Sequence, residues 1–344
     1  INPETWRLPA EWEPQEAIQL AWPHDDTDWL PCLDKIVENY VQLVLLIAER
    51  EKVVIASPEP DVVYHLLTSR LPQEMLGRIT LVGCPTNDTW SRDHAAITLV
   101  NGKRRQMLDF KFNGWGEKFP AALDNEVNRH MAASGVYDAE WSNQLDFVLE
   151  GGSIESDGQG TLLTTACCLL APHRNEPLTR SEIDRQLKRR LHVERVLWLD
   201  YGTLEGDDTD GHIDTLARFA PNDTIVFQGC RHTDDVHFAE LQRMKQQLGE
   251  FRTADGRPYR LLELPMPRAL FDDRQQRLPA TYANFLVLNG AVVCPIYADA
   301  DADRQTMQVL KEAFPGRDIL PLDARTIVVQ HGSVHCLTMQ VPQV

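Results

Sequence analysis

Short apolar strands and tight polar turns alternate along this chain, and four stretches share one outline. A polar or charged lead-in runs into a strand, a tight turn and a second, more apolar strand. Arg92-Asp93-His94 leads through Ile97-Thr98-Leu99 to Asn101-Gly102 and Gln106-Met107-Leu108. Glu150-Gly151-Gly152 leads through Ser153-Ile154-Glu155 to Asp157-Gly158 and Thr161-Leu162-Leu163. His212-Ile213-Asp214 leads to Pro221-Asn222-Asp223 and Thr224-Ile225-Val226-Phe227, and Asn284-Phe285-Leu286 to Asn289-Gly290 and Val292-Val293-Cys294. Asn-Gly and Asp-Gly between alternating apolar runs are strong hairpin signals, because both tolerate the positive φ that a two-residue turn demands.

Helical spacing fills the gaps. Between Leu33 and Arg50 apolar residues fall at 36, 37, 40, 41, 44 and 47, which gathers them on one helical face. Thr179 to Arg190 opens with Thr179 and Glu182 in a capping-box relation. Ala239 to Leu248 and Asp303 to Phe314 also read as helices. The turns recur at roughly 55 to 70 residues, a spacing that suggests a repeat architecture. Five strand-and-helix units fit the length, with Val328 to Met339 in the last. A generic α/β protein with chance hairpins is the alternative. If the repeat holds, the lead-ins deliver Asp93, Glu150, His212 with Asp214, Asn284 and Cys336 to one centre.

Composition narrows the class. The 344 residues carry 43% hydrophobic and 25% charged side chains, an ordinary soluble composition that permits two domains or one large repeat. Apolar stretches such as Val44 to Ala48 are far short of a membrane span, and the N-terminal residues show no export signal. A net charge of −17 repels nucleic acid and anionic membranes and favours a cationic ligand, although solubility alone accounts for such acidity. Seven cysteines, an odd number without a CxxC pair, argue for a reducing compartment and against a structural zinc site.

The candidate chemistry lies in the lead-ins. Read as an extended segment, Gly211-His212-Ile213-Asp214 turns His212 and Asp214 to the same side. With Cys336 they supply an imidazole, a carboxylate and a thiol, the parts needed to attack a planar cation. Cys167-Cys168 sits in an apolar strand pattern and reads as core; Cys32, Cys84, Cys230 and Cys294 read as packing. His331 and His335 fall on one face of a segment read as a strand, which leaves a metal pair open as an alternative to the reading without metal. No complete phosphate-loop or dinucleotide motif occurs.

Taken in order, further motifs resemble the agmatine deiminase family, which shares its fold with bacterial-type peptidylarginine deiminases. They are Pro9-Ala10-Glu11-Trp12-Glu13-Pro14, Leu20-Ala21-Trp22-Pro23, Asp88-Thr89-Trp90-Ser91-Arg92-Asp93 and Leu149-Glu150-Gly151-Gly152. Asp207-Asp208-Thr209-Asp210-Gly211-His212-Ile213-Asp214, Arg277-Leu278-Pro279-Ala280, Tyr282-Ala283-Asn284-Phe285 and His335-Cys336-Leu337-Thr338 complete the series. The resemblance implies a pentein fold: a five-bladed α/β propeller with pseudo-fivefold repeats around a central active site, with residues 1–344 as a single catalytic domain. Two departures stand out. His94-Ala95-Ala96 replaces the family's Thr-Gly-Pro, and His331-Gly332-Ser333 replaces its Gly-Gly-Asn.

By that resemblance Cys336 is the nucleophile, His212 the acid and base, and Asp93 and Asp214 the carboxylates that hold a guanidinium, with Glu150 orienting His212 or a guanidinium nitrogen. Trp90, Asp208 and Asn284 join Asp93 and Asp214 in binding substrate; Trp90 walls the pocket and the acidic Glu205, Asp207 and Asp208 attract a distal ammonium. The implied reaction is hydrolysis of agmatine to N-carbamoylputrescine and ammonia, a step of putrescine synthesis, through an S-alkylthiouronium on cysteine. Deimination of arginine in peptides is the main rival, followed by amidino transfer and by a guanidinium-binding protein without activity. The expected partner is a small cationic guanidino substrate, without cofactor, metal, nucleic acid or membrane. The expected location is cytoplasmic, with a homo-oligomer left open.

Overall fold

A computed structural model describes residues 5–344; the first four residues of the stretch read for an export signal lie outside the described residues. The strands form five small sheets, and four of them have the same topology. Each opens with an antiparallel hairpin and adds a parallel third strand after a helical crossover. The hairpins fall where the turn chemistry put them: Ile97–Asn101 with Arg104–Lys111, Ile154–Ser156 with Thr161–Thr165, Ala217–Ala220 with Thr224–Gln228, and Leu286–Leu288 with Ala291–Ile296. Their crossovers are Val127–Ser134, Arg180–Leu191, Phe238–Glu250 and Ala300–Ala313. A parallel partner requires such a crossover, because a tight turn can only return the chain antiparallel.

The fifth sheet joins the two ends of the chain. Gln15–Ala21 pairs antiparallel with Met339–Pro342, then parallel with Lys52–Ser57, which pairs parallel with Ile79–Gly83. Its first crossover is the helix Leu33–Ala48, where Ile36, Tyr40, Val44 and Ile47 are fully buried. Burying each such side chain stabilises the fold by about 1.5–3 kcal/mol. The helix starting at Arg180 carries the expected capping box, with Thr179 and Glu182 bonded reciprocally. Two helices went unread, Pro60–Arg70 and Val127–Ser134. The first has only Val63 and Leu67 buried, too sparse a stripe to register as a period.

Three local expectations are corrected. His212 and Asp214 do not lie on a strand: Ile213–Thr215 is a short 3-10 turn that His212 precedes. Comparable single turns, Ser91–His94, Gly151–Ser153 and His335–Leu337, lead into other strands. The segment holding His331 and His335 is therefore turn and 3-10 helix, not strand. Cys167 and Cys168 likewise sit in the short helix Ala166–Leu169, with Cys168 buried and Cys167 exposed. Among the described residues no helix is long and apolar enough to cross a membrane.

Candidate active site

The helical turns that open the units pack against one another, and their polar side chains converge. Gly152 marks the convergence. A Cβ at this position would lie 2.6 Å from His212 Nδ1, 2.7 Å from Asp93 Oδ1 and 3.1 Å from Asp214 Oδ2. Only glycine lets the backbone approach three such groups. Asp93 is held at both oxygens, Oδ1 accepting from the Gly152 N–H at 3.0 Å and Oδ2 from Trp115 Nε1 at 2.8 Å. Asp214 accepts through Oδ2 from the His335 ring at 2.8 Å, while its buried Oδ1 has no partner. A buried carboxylate oxygen without a donor is an acceptor in waiting.

Cys336 faces the same space, its Sγ 3.9 Å from Asp214 Oδ2. Together with Asp93 it lines an open cavity, about 540 Å³ counting the space open to solvent, whose lining includes Trp90, Trp115 and Phe119 together with Asp28, Asp88, Asp208 and His331. Gly332 lies flat on the Trp90 ring, where a Cβ would approach to 2.2 Å. Trp115 reaches Asp93 from a left-handed backbone, with φ of 57°. An aromatic-walled cavity lined by Asp93 and Cys336, with Asp214 directly behind the thiol, suits a flat organic cation on an apolar stem.

His212 is fully buried, and neither ring nitrogen makes a hydrogen bond. Nδ1 stands 3.6 Å from Asp93 and Nε2 3.8 Å from Glu150. Burial alone would depress this imidazole, but the charge of Asp93 and its contacts with Cys168 and Glu150 raise it well above the ordinary range. Burial would raise Glu150, yet His212 and Arg174 hold it low; the Arg174 Nε donates to it at 2.8 Å. Burial pushes Asp93 up to about 6 against the pull of His212. In Asp214 burial is overcome by His335, which brings the carboxyl below its usual range. Burial, Asp214 and Asp93 together push the Cys336 thiol well above its ordinary value. Both shifts favour the protonated form, a thiol on Cys336 and an imidazolium on His212.

The cavity region thus brings together Cys336, His212, Asp93, Asp214 and Glu150, with Trp90 and Asp208 in the lining. Asn284 is set apart. It does not line the cavity; its amide donates to the Asp214 carbonyl at 3.2 Å and accepts from the Cys336 N–H at 3.2 Å, so it braces two turns. His94 also lies outside the cavity, its ring tilted against Phe112, and burial lowers its imidazole to about 3. His331 and His335 do not converge on a shared position. His331 Nδ1 donates to the Gly206 carbonyl at 2.5 Å and lies 3.5 Å from Asp208, whereas His335 bonds Asp214 and Glu11.

Several contributors escaped the sequence reading. Trp115, Phe119, Asp28 and Asp88 reach the cavity from loops without periodicity, and Arg174 and Cys168 stand behind His212 and Glu150. The Asn113-Gly114-Trp115-Gly116 run, glycines flanking an aromatic, was a usable signal for a left-handed turn.

Residues 7–342 match the family described as Porphyromonas-type peptidyl-arginine deiminase. A Vibrio parahaemolyticus relative, provisionally named agmatine deiminase, is 34% identical over 355 residues, covering 97% of this chain and 96% of its own. A solved Porphyromonas gingivalis structure, provisionally named arginine deiminase, is 47% identical with a TM-score of 0.92, covering 98% of this chain and 99% of that one. An agmatine deiminase of C. jejuni, solved with substrate bound, is 37% identical with a TM-score of 0.90, over 98% and 96% of the two chains.

Proposed function

The chain belongs to the Porphyromonas-type peptidyl-arginine deiminase family, and from that membership we propose that it hydrolyses the guanidino group of agmatine to N-carbamoylputrescine and ammonia. The observation that carries the reading is the inner end of the cavity, where buried Asp93 and Cys336 line the space and the buried Asp214 carboxylate lies 3.9 Å from the thiol. Asp93 and the unpartnered Asp214 Oδ1 accept the guanidinium N–H groups and hold its carbon before Cys336. The cation neutralises the charges that keep the thiol protonated, so binding releases the thiol proton.

The thiolate then attacks the guanidinium carbon to give a tetrahedral adduct. His212, entering as imidazolium, protonates the departing nitrogen, ammonia leaves, and an S-alkylthiouronium remains on Cys336. His212, now neutral, takes a proton from water as the water attacks the same carbon. Collapse expels the thiolate and releases the ureido product. Glu150 holds His212 from behind and is itself fixed by Arg174. Asp208 and Asp88, in the lining, face the distal ammonium, while Trp90 and Trp115 cover the alkyl stem.

Agmatine is favoured over peptidyl-arginine because the lining is acidic. A peptide would bring a backbone carbonyl where Asp28, Asp88 and Asp208 stand, and among the described residues no basic side chain lines the cavity except the imidazole of His331. We read residues 1–344 as one catalytic domain acting without cofactor or metal in the cytoplasm, with no nucleic-acid partner; seven free cysteines suit a reducing compartment. The test is to incubate the protein with agmatine, arginine and a blocked arginine peptide and follow ammonia and ureido product. Ammonia from agmatine that vanishes in Cys336→Ala supports the proposal. Turnover confined to the peptide, or substantial turnover in Cys336→Ala, sinks it.

A further inference from the structure

Immediately before the nucleophile lies a second buried histidine that the proposed reaction does not use. His335 is 1% exposed, and each ring nitrogen faces a carboxylate. Nδ1 is 2.8 Å from Asp214 Oδ2 and Nε2 is 2.8 Å from Glu11 Oε2. With both acids ionised, carboxylate oxygens only accept, so a ring bonded to both donates from both nitrogens. Arg218 Nη2 approaches the same Glu11 oxygen at 2.6 Å and lies 3.0 Å from His335 Nε2. Two donors therefore converge on one oxygen, and Glu11 serves as the shared anion. Arg218 is fixed in turn by Glu155 and by the carbonyls of Ala283 and Phe285.

We propose that His335 is a positioning residue for Asp214: wedged between Asp214 and Glu11, its imidazole holds Asp214 turned towards the guanidinium and supplies its counter-charge. This rests on the guanidine-hydrolase reading above. Bonding from His335 occupies Oδ2 and leaves Oδ1, buried and unpartnered, for substrate. A lone carboxylate in so dry a place would take up a proton rather than stay charged. The other groups facing Asp214 cannot replace that cation. Asp93 is an anion, Cys336 a neutral thiol, and His212 is shared with Asp93 and Glu150. Arg218 is engaged by Glu11 and Glu155, and Arg92 sends its Nε to the His335 carbonyl.

The pH profile of kcat/KM for agmatine separates this role from a structural one. In the unaltered protein Asp93, at about 6, sets the acid limb, and Asp214, held low by His335, is silent. The limb then falls with a slope of one. In His335→Asn, whose amide can still donate to Asp214 but carries no charge, Asp214 titrates in the same range. The limb should move up by about one pH unit or more and steepen towards a slope of two. His335→Gln, reaching Glu11 instead, is the second variant should the first fail to fold, and thermal melts monitor both. An unmoved limb in a folded variant, with any loss confined to kcat or to thermal stability, overturns the proposal. An inert unaltered protein overturns it together with the hydrolase reading, whereas an active protein with an unmoved limb sinks only the role of His335.

Discussion

Replacing Gly152 with alanine adds one methyl group at the point where three functional side chains meet. Ordinary contact begins near 3.4 Å, but the new Cβ would lie 2.6 Å from His212 Nδ1 and 2.7 Å from Asp93 Oδ1. Those two groups must therefore retreat by roughly 0.7 to 0.8 Å each. The backbone is not strained by the change, because Gly152 is not among the positive-φ glycines. A displacement of that size between reacting groups costs about 100-fold in rate. Ammonia release from agmatine in Gly152→Ala should accordingly fall about 100-fold in kcat/KM, with circular dichroism unchanged. Gly249→Ala, near the end of the helix Phe238–Glu250 with nothing within 4 Å, is the control and should retain full activity. A folded Gly152→Ala protein working at the normal rate would falsify the claim that these three side chains cooperate.

Two further outcomes follow from the buried charges. Arg174→Met leaves Glu150 buried without its cation, both side chains being 1% exposed in the pair; urea denaturation should show a loss of about 3–5 kcal/mol, and a loss under about 1 kcal/mol would mean the pair is not structural. Burial pushes Asp124 up to about 7, against bonds from the Asn87 and Asp88 N–H groups. Its folded value lies above the unfolded one near 3.9, so its stabilising contribution is complete below about pH 4 and fades as pH rises through 7. Asp124→Asn keeps an acceptor for Asn87 and should flatten that decline in denaturant midpoints between pH 4 and 8; an unchanged slope would refute the assignment.

Turn chemistry carried most of what was legible. Asn101-Gly102, Asp157-Gly158, Asn222-Asp223 and Asn289-Gly290 each place their turn because their backbone demands are local. The parallel third strands were invisible, since Glu140–Val148 and Arg260–Leu264 are half-covered edges with weak alternation. At the cavity, motif resemblance singled out residues the fold brings close, but could not say what each touches. Asn284 shares its motif yet bonds backbone, and the His335 of the Cys336 motif proved to face Asp214. Period-two reasoning failed at His212 because a single 3-10 turn leaves no trace in hydrophobic spacing, and Trp115 escaped because its placement depends on a left-handed loop rather than a pattern.

The pairing of Gln15–Ala21 with Met339–Pro342 has a consequence for biosynthesis. Cys336 sits only three residues ahead of the strand that completes that sheet, while its neighbours Asp93 and Asp214 were made long before. A chain growing from its N-terminus would hold the acidic half of the centre with no sulfur to use it. On the proposed mechanism such a nascent polypeptide would lack its nucleophile, and reactivity would arrive with folding rather than ahead of it.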